Sequence, residues 1–80
     1  VKERDLVKVW WMDSRGATSS WSRVEDINEG VCEMVSVGYL LKEHDDHIVI
    51  APHISTGDDQ QACGVMYIPL CAIIKREALP

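Results

Sequence analysis

Eighty residues make one domain near the lower size limit for independent folding, and 46% of them are apolar, with three tryptophans and no phenylalanine. A chain this short buries only about 60–65% of its unfolded surface, so part of that apolar content is expected to meet a second copy. The formal charge of −5, with eight cations spread singly or in one pair, excludes a polyanion-binding patch, and with it tight binding to duplex nucleic acid.

The three cysteines (Cys32, Cys63 and Cys71) are odd in number and lack C-x-x-C spacing. That pattern predicts reduced, partly buried thiols rather than a disulfide framework. No apolar run approaches the roughly 20 residues of a membrane span, and the start has no signal-peptide core. The expectation is a soluble, cytoplasmic protein.

After a charged lead-in over residues 1–5, Leu6–Met12 (LVKVWWM) predicts a first strand. Side chains alternate across a strand, so Val7, Val9 and Trp11 share one face and Leu6, Lys8, Trp10 and Met12 the other. Lys8 marks its own face as the outer one. Trp11 is therefore expected inside, and Trp10 outside, in need of a cover.

Asp13–Ser20 (DSRGATSS) is loop material. Ser22 followed by Glu25 forms a capping-box pattern, which predicts a short helix over Ser22–Asn28 ended by Gly30. Val24 and Ile27 are expected to turn inward, and Trp21 to pack over Trp10.

Val31–Glu43 predicts a long second strand carrying the row Val35, Val37, Tyr39 and Leu41, with Met34 and Leu40 opposite. Gly38 marks a bend or bulge that lets one strand serve both halves of a rolled sheet. The acidic turn Glu43–His47 leads into Ile48–Ala51, a third strand ended by Pro52. A polar loop over 55–62 precedes a fourth strand, Cys63–Ile68. Pro69 ends that ladder, Leu70 and Cys71 turn the chain, and Ala72–Arg76 makes a fifth strand.

Together these describe a mainly β fold: a small, strongly bent five-stranded barrel with one short helix between strands 1 and 2. The fourth and fifth strands are apolar on both faces and show none of the usual edge protection, so they are expected to pair with other copies.

The stretch from Leu6 to Leu79 resembles a group of short phage-encoded proteins of undefined role. The shared features are Trp11-Met12-Asp13, Trp21, Ser36–Leu41 and Ile68-Pro69. More distantly, Gly38–Ile50 and Ile68–Ile74 are similar to the two motifs of Sm-like proteins, which form rings and often bind single-stranded, uridine-rich RNA. Gly38, Leu40, the Asp45-Asp46 turn and Ile48-Val49-Ile50 match in kind. His47 stands where that family has a base-contacting Asn, and Pro69-Leu70 where it has Arg-Gly. The resemblance thus implies the barrel and self-assembly more than it implies RNA binding.

For chemistry, His44, Asp45, Asp46 and His47, with His53, have no recognised metal spacing and read as a solvated turn. No cysteine has a base and orienter at a family spacing, and no phosphate loop, dinucleotide fingerprint or nucleophile elbow is present. No enzyme and no cofactor are expected. What remains is a binding surface of Trp10, Arg15, Trp21, His47 and Tyr67, since aromatics with an arginine suit both interfaces and stacking pockets. The expected partners are copies of the chain, then a host protein or a small nucleotide, with single-stranded RNA as the alternative.

Overall fold

The computed structural model describes residues 4–28 and 30–80. Its strands are β1 (Leu6–Asp13), β2 (Cys32–Glu43), β3 (His47–Ala51), β4 (His53–Ile54), β5 (Ala62–Cys63), β6 (Met66–Pro69) and β7 (Ile73–Leu79). Five of them form one antiparallel sheet in the order β6-β3-β2-β1-β7, while β4 and β5 make a separate two-stranded hairpin. That small hairpin encloses the expected polar loop 55–62, adds His53–Ile54 as a strand after Pro52, and breaks the expected fourth strand Cys63–Ile68 into β5 and β6.

The sheet is mainly β, as expected, but it is not a closed barrel. β6 and β7 lie at opposite ends of the strand order. In a flat sheet four inter-strand steps would separate them by about 19 Å. Yet only the 3-10 turn Leu70–Ala72 joins the two, and a turn of that kind advances about 2 Å per residue. The sheet must therefore curl until its edges almost meet.

Side chains bridge the inside of the curl. Trp11 Nε1 donates to Ser36 Oγ at 3.0 Å, and Ser36 Oγ lies 3.9 Å from Met66 Sδ on the far edge strand. Arg76 of β7 forms an ion pair with Glu43 at the end of β2.

The core follows from the alternation of β1. Val7, Val9 and Trp11 are buried and pack with Ile48, Ile50 and Ile68, while Leu40 and Ile73 pack against this group. Residues paired across strands share a face. Trp11, Val9 and Val7 oppose Met34, Ser36 and Gly38, so that second set faces inward. The row containing Val35 and Val37 therefore points outward, and both residues are exposed.

Gly38 is required by a close approach. A Cβ there would sit 3.0 Å from the Ala51 carbonyl oxygen and 3.2 Å from its nitrogen. The register irregularity falls slightly later, between Leu40 and Lys42, where Arg4 donates to the Leu41 carbonyl at 3.2 Å.

Several sequence expectations are overturned. The helix over Ser22–Asn28 is only a 3-10 turn, Val24–Asp26. Its N-cap position is Arg23 and no side chain caps it; Glu25, the would-be partner of Ser22, instead accepts from the Arg23 guanidinium at 2.7 and 3.0 Å. With a single turn and no partner surface, propagation cannot offset nucleation. Val24 and Ile27 do not turn inward but are exposed.

The edge strands are better protected than their composition suggests. β7 shifts register between its contacts to Trp10 and Trp11, leaving Ile74 as the extra residue of a bulge, and it carries Lys75 and Arg76. β6 has four residues and ends on Pro69, which has no amide donor. Bulges, charges and proline are standard protection against edge pairing. The cysteines are free, as expected, but all three are exposed rather than buried, because they lie at a strand end, in the small hairpin and in the 3-10 turn.

The molecule is elongated. Its extents are 54 × 25 × 22 Å and its radius of gyration is 16.3 Å, against about 12 Å for a compact chain of this length. The described residues of 14–31 contribute no strand and are all exposed. Among the described residues no helix is long and apolar enough to cross a membrane.

Candidate binding surfaces

The five residues singled out from sequence fall on three separate surfaces. Trp10 stands on the outer face of β1, as its parity with Lys8 requires. Its cover is not Trp21. Lys8 from the same strand and Lys75 from β7 place their ammonium groups 4.9 and 4.8 Å from its ring centre. Trp10 pairs with Lys75 on one side and with Val35 on the other, so register alone delivers one lysine. Such cation–π contacts contribute about 0.5–1 kcal/mol each at exposed sites, and they leave the ring half-buried.

Arg15 and Trp21 belong to the segment between β1 and β2. They line a concave surface of about 660 Å³ together with Thr18, Ser20, Asp26 and Asn28. Trp21 is fully exposed (102%). The local backbone is held by few bonds: Asp26 N–H donates to the Arg23 carbonyl and Ile27 N–H to that of Val24, at 3.0 and 3.2 Å. The Glu25 carboxyl is pulled below its ordinary range, first by its own backbone amide and then by Arg23.

His47 and Tyr67 form the third surface, with His44. The turn between β2 and β3 closes when the His44 amide donates to the His47 carbonyl at 2.9 Å. That closure stacks the two imidazoles, with centroids 4.6 Å apart and planes 27° from parallel. The Tyr67 ring lies 6.4 Å from His47, tilted by 46°, because β6 pairs with β3 and brings Tyr67 opposite Val49. His47 Nδ1 is 2.6 Å from Asp46 Oδ1. The hydrogen bond from His47, reinforced by its charge, holds the Asp46 carboxyl below the ordinary aspartate value. The amide of Leu70 donates to the Asp46 carbonyl at 2.8 Å, fastening this turn to the link between the edge strands.

The fold thus brings His47 to Tyr67 and Arg15 to Trp21, and leaves Trp10 apart from both. Sequence reasoning passed over Lys75 and the outward row Val35 and Val37 as site residues. The signal for the valines was present: they stand two positions apart, as Lys8 and Trp10 do on the outer face of β1. His44 was read only as part of a solvated turn, and a four-residue turn that ends where it began is what stacks its ring. Among the described residues no group of three His, Cys, Asp or Glu side chains is placed to hold a metal ion.

Compared with known proteins, the chain matches no protein-family model, no curated protein and no solved structure. Its function must be read from its own surfaces.

Proposed function

We propose that this chain is a non-catalytic binding module of the short phage type, which assembles with copies of itself and blocks or sequesters a host protein in the host cytoplasm. One observation carries the reading. Among the described residues, thirteen large apolar side chains are exposed, whereas eight hydrophobic residues form the buried core. They are not scattered singly: Met12, Val35 and Val37 adjoin Trp10 on one face. Contiguous apolar surface of this kind marks interaction sites, and the acidic net charge suits a protein partner better than a polyanion.

The finer fold reading belongs with this proposal. We take the curled sheet to be an SH3-like or Sm-like barrel left open, and the three-residue link between its edges supports that view. The edge strands β6 and β7 remain candidate contacts between copies, although their bulge and proline favour side-chain packing over strand addition.

Native mass spectrometry of the protein purified from a bacterial host tests the reading. The expected species is a homo-oligomer carrying a host protein in fixed ratio, re-formed from the purified components. A bare monomer at all concentrations overturns it.

A small-nucleotide ligand is the second reading, favoured by the 660 Å³ concavity with Trp21 and Arg15 on its wall. A single nucleotide needs a flat ring and a cation, and this surface has both. The Sm-like alternative, single-stranded RNA, draws on the stacked His44 and His47 rings with the tilted Tyr67 ring beside them. Titration with a mononucleotide and with a uridine-rich oligonucleotide separates the two, since polymer binding falls steeply as salt rises.

A further inference from the structure

Two apolar surfaces of this molecule lie open, and neither covers the other. One is the outer face of β7, β1 and β2, where Trp10 stands between Lys8 and Lys75, with Val35 and Val37 exposed on the adjoining strand. The other is the segment 21–28, which presents Trp21, Val24 and Ile27 together with the acids Glu25 and Asp26. Trp21 makes no use of its own sheet, since it is fully exposed and the molecule extends 54 Å along its long axis.

We propose that the segment 21–28 of one copy docks on the Trp10 face of a second copy. Trp21, Val24 and Ile27 pack over Val35 and Val37, and Asp26 meets the lysines that flank Trp10. The proposal rests on the self-assembly reading above and names its surfaces.

Charge permits the match at one point. The docking face carries Lys8 and Lys75 together with two carboxylates, Glu77 opposite Lys8 and 3.8 Å from Lys75, and Glu33 opposite Met12. On the segment Glu25 is occupied by Arg23, whereas Asp26 has no ion-pair partner among the described residues. Asp26 is therefore the acid left to meet a lysine.

Size supports it. Trp21 with two aliphatic neighbours hides on the order of 400 Å², and the face beneath loses a similar area. Two such docks related by a twofold axis total about 1,600 Å², the size of a stable specific interface. A reciprocal exchange also satisfies both apolar surfaces on every copy, which leaves no open end to propagate a fibre.

Sedimentation equilibrium of the full chain tests the exchange. The wild type is expected to associate. Asp26→Lys, or Lys8→Glu with Lys75→Glu, should weaken association about tenfold or more through like-charge contact. Combining all three changes should restore it, because each reversed face then meets a reversed segment. Trp21→Ser with Val24→Ser should give a monomer whose melting temperature matches that of the wild type diluted to monomer. Association that ignores every one of these changes overturns the docking and leaves self-assembly standing. A wild type that stays monomeric at all concentrations overturns both. Weakening by both reversals without rescue in the combination also overturns it, since the two charge sets would then not face each other.

Discussion

In β1, each apolar residue from Val7 to Trp11 that its parity turns inward is buried, whereas in the segment 14–31 Trp21, Val24 and Ile27 stand in water at 102%, 81% and 57%. Both stretches mix apolar and polar residues in a regular spacing. The difference lies in what surrounds them. β1 sits between β2 and β7, so its ladder is filled on both sides and its inner face meets Ile48, Ile50 and Ile68. Among its described residues the segment has one 3-10 turn with two backbone bonds in it, and its large apolar side chains stay exposed. Periodicity thus names the face that wants covering, and topology decides whether the same chain supplies the cover. Where it does not, another molecule is the natural source.

Substitutions that sharpen this contrast divide cleanly between the two regions. The largest loss is expected at Ile68, the residue through which the edge strand β6 enters the core and which is fully buried. Ile68→Ala should cost about 2–5 kcal/mol, read from chemical denaturation, a large part of the stability of a domain this small. Gly38→Ala comes next. Its new methyl meets the Ala51 backbone, which cannot swing aside as a side chain can, and about 1–3 kcal/mol of destabilisation is expected by the same measurement. In the segment, Val24→Ser should shift the stability of the monomer by no more than about 0.5 kcal/mol while weakening association. A large loss in the monomer would mean that the segment packs on its own sheet, and the contrast would fail.

The smallest effect concerns pH. Asp46 is held below its ordinary value by His47, so the folded state binds that proton less readily than the unfolded one. The resulting stabilisation is present above about pH 4 and is lost as pH falls through the depressed value. Asp46→Asn should therefore melt slightly lower than the wild type near neutrality, with the gap closing in acid. A gap that persists at pH 2 would place its origin outside the carboxylate.

Much of the body was legible in the chain. The alternation in Leu6–Met12, the turn at 43–47, the continuous run Ile48–Ala51 stopped by Pro52, and the Pro69 turn each have a local cause, and each stands where that cause puts it. What escaped was set by contacts distant in sequence. The outward direction of Val35 and Val37 follows from Gly38 lying opposite Val7, and the bulge at Ile74 from the meeting of β7 with β1. The open edge of the sheet is a property of the whole curl. The helix failed for a related reason: Ser22 and Glu25 have the right spacing, but Arg23 takes the carboxylate and no surface receives Val24 and Ile27. At the candidate site, His47 and Tyr67 did come together, yet the lysines that cover Trp10 required the register of β7.

Amide hydrogen exchange followed as a function of protein concentration tests the central claim most directly. If open apolar segments are covered by a second copy, residues 21–28 and 33–37 gain protection together as concentration rises, while β3 stays protected throughout. Fast exchange in both regions at every concentration, or protection of the segment already present in dilute monomer, would contradict it.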